Sequence, residues 1–158
     1  MHSRIYQISK TPIPKCDYIE EDNYYDHWFT NEIADYVSGG TDRGDDIQWL
    51  KECYEEKGMS FGIDDNGEYF IIEDKTKYFE VNFELFQKAL KELSEATFDD
   101  FISGKSGTSL YRLRESYNDK FGFYVDSENC GLETLDEFIR HTDVGVKHYI
   151  GATIDYHF

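Results

Sequence analysis

Between Met59 and Asp74 the chain reads MSFGIDDNGEYFIIED, two apolar runs joined through Asn66-Gly67. Asn and Gly accept positive φ more readily than other residues, and a two-residue turn that uses it matches the twist of the flanking strands. The stretch predicts a β-hairpin over 59–73 with Asn66-Gly67 at its tip. A hairpin commits part of any sheet to antiparallel pairing and weighs against a doubly wound architecture.

Other elements are legible around it. SRIYQIS (3–9) is β-branched and aromatic and stops at the prolines of TPIPK, an opening strand with an extended connector. A short helix over about 27–37 would turn Trp28, Ile33 and Val37 inward and end at Gly39-Gly40. Asp42 can cap a second helix over 43–57, with Ile47, Leu50 and Tyr54 inward and Gly58 at its close. Phe79, Phe83, Phe86, Leu90 and Leu93 recur at helical spacing and, with Asp74 as cap, predict a long helix over 75–94 laid on one sheet face. Thr97 before FDDF and Thr134 before LDEF each have an acid three residues on, the capping-box pattern that starts a short helix. A helix over 108–120, with Leu110, Leu113 and Tyr117 inward, and a strand over 121–126 lie between them. The chain ends in alternation: Ile150, Ala152, Ile154, Tyr156 and Phe158 share one face, and Thr153, Asp155 and His157 a wet one. The order β-α-α-β-β-α-α-α-β-α-β describes an α+β fold, about five strands in a mixed or mostly antiparallel sheet packed by helices.

At 158 residues the chain suits one domain spanning 1–158, able to bury roughly 70% of its unfolded surface without disulfides or metals. Thirteen Tyr and 12 Phe supply large buried areas, so the core is expected to be built from rings. Cys16, Cys53 and Cys130 are odd in number and form no CxxC pair, which indicates neither a disulfide framework nor a zinc knuckle and suits a cytoplasmic protein. MHSRIYQISK has no apolar signal core, and no 18-residue apolar window exists, so neither export nor a membrane partner is expected.

The signatures of common chemistries are missing. His2, His27, His141, His148 and His157 show no HxH or HExxH pairing, so no cofactor or transition metal is indicated. There is no GxSxG elbow, and SGKSG (103–107) lacks the spacing of a phosphate-binding loop. The thiol of Cys16 lies in acidic surroundings that disfavour a thiolate. With 33 acids in the chain, paired carboxylates arise by chance and indicate no glycosidase-type chemistry. DSENCGLETLDE places Asp126, Glu128 and Cys130 at positions one, three and five, Gly131 at six and Glu137 at twelve, a partial match to an EF-hand loop. Its alternative is a strand-turn-helix connection capped by Thr134.

Charge is the strongest remaining signal. The net charge is −17, and residues 17–74 alone hold 18 acids against three bases. Such a field repels nucleic acid and anionic membranes and attracts basic protein surfaces. Rings stand beside the charges in KCDYIEEDNYYDHWF (15–29), a make-up suited to presenting carboxylates to an Arg/Lys-rich groove. The expected partner-binding residues are Glu20, Glu21, Asp22, Tyr24, Tyr25, Asp26, Asp45, Asp46, Glu52, Glu55 and Glu56. In charge and size the chain resembles the DNA-mimicking inhibitors of phages and mobile elements, antirestriction and anti-CRISPR proteins, which set carboxylates where a duplex sets phosphates. The resemblance implies a non-enzymatic interaction protein that inhibits a basic nucleic-acid-binding protein. The alternatives are a small enzyme with an unsignalled site and a calcium-responsive module.

Overall fold

Two segments from opposite ends of the chain form the centre of the sheet. In the computed structural model, which describes residues 1–158, β1 (His2–Ser9) pairs antiparallel with β7 (Lys147–His157) from His2 opposite His157 to Ser9 opposite Tyr149. On the other side of β1 lies β5 (Tyr124–Ser127), in parallel register, followed by the edge strand β6 (Gly131–Thr134). The N-terminal half of β7 pairs with β4 (Gly67–Ile72), which carries β3 (Met59–Asp64) on its outer edge. The C-terminal end of β7 pairs with β2 (Tyr36–Ser38). The result is a seven-stranded mixed sheet in the order β3-β4-β7-β1-β5-β6, with β2 beside β4 on the same edge of β7.

The α+β class holds, and two strands exceed the expected count. β2 takes residues assigned to a helix over 27–37: α1 covers only Trp28–Glu32, and Val37 is buried as a strand residue. β6 takes residues read as a turn, because Gly131, at φ 70°, closes a three-residue loop after Ser127 and the chain returns alongside β5. The 59–73 hairpin is present with its tip one residue early. Asp64 pairs with Gly67, Asp65 and Asn66 form the loop, and Gly67 takes the positive φ.

An irregularity in β7 decides which side chains form the core. Tyr6 stands opposite Thr153 and Ile8 opposite Ile150, so Gly151 and Ala152 together face Gln7. This bulge reverses the alternation of β7. Ile150 joins Tyr6 and Ile8 on one face, whereas Ile154 and Tyr156 join Ile5 on the other. The expected wet face is therefore not wet: Thr153 and Asp155 are buried. The backbone groups freed by the bulge are satisfied locally. Gln7 Oε1 accepts from the Ala152 N–H at 3.1 Å, and Arg43 donates to the carbonyls of Gly151 and Ile150 at 2.6 and 2.7 Å.

Face one is covered by α2 (Arg43–Tyr54), through Leu50, by the start of α3 (Lys75–Ser94), through Tyr78, and by α6 (Leu135–His141), through Leu135, Phe138 and Ile139. Face two is covered by residues 19–37, with Tyr24, Phe29 and Ala34 against Tyr124 and Tyr156. Phe29 meets both of those rings edge-on, at 4.8 and 5.0 Å.

The long helix departs most from expectation. Only Tyr78 and Ala89 of α3 are buried, Phe83 is 60% exposed, and Leu85 and Leu90 are also exposed. A 20-residue helix runs about 30 Å, and α3 leaves the sheet after its first turns. It packs instead on α5 (Gly107–Tyr117), and α4 (Phe98–Ile102) lies in the connection between the two. On α5, Leu110 and Tyr117 are exposed rather than inward. Arg140 holds the base of this arm: its guanidinium lies between the rings of Phe79 and Tyr117, and it donates to the Tyr117 carbonyl.

Candidate interaction surfaces

The acids expected to meet a partner divide into three groups. Glu20, Asp22 and Asp26 are exposed on the segment covering face two, and Asp45, Glu52, Glu55 and Glu56 are exposed on and after α2, over face one. Among these seven only Glu55 has a cation at hand, Lys51 at 3.6 Å. Glu21 is half-buried and braces the segment: hydrogen bonds from the Gly39 N–H and the Tyr25 hydroxyl hold its carboxyl below the usual range.

Two of the expected residues are internal. Asp46 is buried, accepting from Arg4 Nε at 2.5 Å and from Thr153 Oγ1 at 2.7 Å. Arg4 also donates to Asp155, whose carboxylate lies 2.8 Å from His2 Nδ1, and the Arg4 guanidinium stacks over Trp49. One cation thus sits between two buried carboxylates, and neither carboxylate is free for a partner. Tyr24 is buried as well, its hydroxyl donating to Asp126 at 2.7 Å, and burial pushes its pKa far up. Helical spacing puts Asp46, four residues before Leu50, on the flank of the inward face and its exposed neighbour Asp45 opposite, but gives Asp46 no partner. The partner comes from the fold, which puts Arg4 beneath α2.

The EF-hand spacing is not realised as a cation loop. Its twelve residues run out along β5, turn, return along β6 and enter α6, an extended path that does not wrap a centre. Asp126 faces Tyr24, Glu128 lies in the turn, and Glu137 sits in the first turn of α6 beside the cap Thr134. The three carboxylates do not converge.

The arm is the surface that the sequence analysis missed. Phe98, Phe101 and Ile102 on α4 are 76, 75 and 68% exposed, and Val81, Phe83, Leu85, Leu90, Leu110 and Tyr111 are exposed on α3 and α5. From residue 75 to 117 there are seven acids and seven bases, so the arm is neutral and the body carries the whole −17. An available signal was the width of the apolar pattern: Val81 and Leu85 add a second apolar row to α3 beside the Phe83 and Leu90 row.

At the base of the arm, α3 and α5 flank a cleft of about 640 Å³ whose floor includes Tyr54, Tyr78 and Asp136. Tyr54 and Tyr78 stack at 5.2 Å. Asp136 accepts from the Tyr78 hydroxyl at 3.0 Å and from the Asp119 N–H at 3.1 Å, and burial raises its pKa. Glu115, on the same cleft, is raised by burial and by the nearby Asp119. No helix is long and apolar enough to cross a membrane. Compared with protein-family models, with curated proteins and with solved structures, the chain matches none of them.

Proposed function

We propose that the protein is a non-enzymatic interaction protein that binds a basic protein surface, with the arm as apolar anchor and the acidic body as the field that draws the partner in. The observation that carries this reading is the exposed apolar surface of α3, α4 and α5, with Phe83, Leu90, Phe98, Phe101, Ile102 and Leu110 open to solvent. Exposed large apolar side chains gathered on one part of a molecule are a mark of interaction sites, and aromatic anchors buried on binding hold much of an interface's energy. Charge acts at longer range and sets the encounter rate.

The finer reading is that the partner binds nucleic acid and is inhibited by carboxylates presented as phosphate surrogates. It is supported by the charge of −17 and by seven exposed acids of which six lack a cation. These acids lie on elements covering opposite sheet faces, so a single groove would engage either the 20–26 set or the α2 set. A second reading, a small enzyme, is favoured by the raised carboxyls of Asp136 and Glu115 facing one cleft.

The test starts from partners captured from lysate at low salt and identified. One with an Arg/Lys-rich surface is then titrated against wild type, Phe98→Ser/Phe101→Ser, and Glu20→Gln/Asp22→Asn/Asp26→Asn. The arm variant should dissociate faster with little change in association. The acid variant should associate more slowly with a flatter salt dependence, and duplex DNA should compete. Neutral partners only, or binding untouched by both variants, would overturn the proposal and favour the cleft.

A further inference from the structure

The hairpin of β5 and β6, with the helix that follows it, gathers three metal-ligating side chains that the sequence keeps apart. Glu133 stands on β6 opposite Val125, a member of the face-one core, so its side chain shares the side of the sheet that α6 covers. His141 ends α6 one turn beyond Phe138, whose ring it meets edge-on at 5.8 Å, and its Nε2 lies 2.7 Å from Glu133 Oε2. Cys130, the last residue of the β5–β6 turn, completes the group: one donor atom from each of the three lies within 4.8 Å of the others. The second oxygen of Glu133, Oε1, is shut off from solvent and has no hydrogen-bond partner. A buried carboxylate oxygen without a donor is an acceptor that a water or a cation can satisfy.

We propose that Cys130, Glu133 and His141 bind one Zn²⁺ ion, with water as the fourth ligand. A thiolate, an imidazole and a carboxylate form a mixed set suited to zinc, whereas calcium and magnesium take oxygen donors. Zinc bonds of about 2.0–2.3 Å in a tetrahedron set neighbouring donors roughly 3.3–3.7 Å apart. That spacing falls between the 2.7 Å of the Glu133–His141 pair and the 4.8 Å limit of the group, so shifts of an ångström or so bring the donors to it. Cys130 is exposed at the turn and has room to swing, and with His141 it also lines a cavity of about 130 Å³, large enough for the water. The sequence signal is C-x₂-E-x₇-H, which no His or Cys pairing reveals.

The test is a titration of the metal-free, reduced 158-residue chain with Zn²⁺ at neutral pH, followed by calorimetry and by thermal midpoint. One ion per chain should bind and raise the midpoint by mass action. Cys130→Ser, Glu133→Gln and His141→Gln, each checked for an unchanged circular dichroism spectrum, should each weaken binding by more than roughly tenfold. Co²⁺ should give a thiolate charge-transfer band that is lost in Cys130→Ser and kept in Cys16→Ser and Cys53→Ser. The proposal is overturned by the absence of stoichiometric binding, by equal binding in the three variants (ions held by the acidic surface at large), or by a cobalt band that follows Cys16 or Cys53.

Discussion

The sheet and the arm are made of similar residues in opposite surroundings. Phe29 is fully enclosed between Tyr124 and Tyr156, whereas Phe83, in the best amphipathic pattern of the chain, is 60% exposed. The body carries all the excess charge, and the arm carries none. The difference teaches that apolar periodicity predicts a helix and a stripe but not what covers the stripe. The sheet covers α3 only near Tyr78, α5 covers part of what remains, and the rest stays open. The enclosed core rings thus lie in the body, and most of the exposed large apolar side chains lie on the arm.

The sharpest way to break this comparison is to truncate matched rings. Phe29→Ala should cost on the order of 3–5 kcal/mol in urea unfolding, while Phe83→Ala should stay within about 0.5 kcal/mol. A cost of several kcal/mol for Phe83→Ala would mean that the arm is covered in solution.

Adjacent acids on α2 offer the same comparison for charge. Asp46→Ala leaves Arg4 Nε and the Thr153 hydroxyl without their acceptor, while Arg4 keeps Asp155, and should cost roughly 1–3 kcal/mol, against under about 0.5 kcal/mol for the exposed Asp45→Ala. Equal effects would contradict the division between internal and presented carboxylates.

A smaller effect sharpens the picture of face one. His148 lies buried between Phe70 and Phe138, at 5.3 and 5.0 Å, and burial, reinforced by Lys10, lowers its pKa from 6.5 to about 4. The unfolded chain takes up this proton at higher pH than the folded one. Its neutral form is therefore accommodated above pH 6.5, and stability falls as pH drops from about 6.5 to about 4, by a total of about 3 kcal/mol. His148→Phe should flatten the pH dependence in that window relative to wild type. An unchanged slope would show that His148 is protonated with little penalty.

Much of the fold was legible because its signals are local. Asp42 and Asp74 cap α2 and α3 through the N–H groups two and three residues on, and Thr97 and Thr134 cap α4 and α6 as their spacing implied. What was not legible depends on partners distant in sequence. β2 exists because the end of β7 offers Tyr36–Ser38 a neighbour, and β7 changes faces at a bulge held by Gln7 and Arg43. The candidate surfaces follow the same rule. The exposed acids on 20–26 and on α2 could be read from charge, but the withdrawal of Asp46 and Tyr24 into the core depends on Arg4, Thr153 and Asp126. The openness of the arm depends on where the sheet ends.

The claim that the arm lies open while the core rings of the body, Phe29 and Phe70 among them, are sealed is tested most directly by hydroxyl-radical footprinting of the free chain, read residue by residue over a dilution series. Phe83, Phe98 and Phe101 should be modified readily at every concentration, and Phe29 and Phe70 should be protected until the chain unfolds. Protection of Phe98 and Phe101 equal to that of Phe29, persisting at the lowest concentration, would contradict the account. The arm would then be packed against its own body, with no surface left to offer a partner.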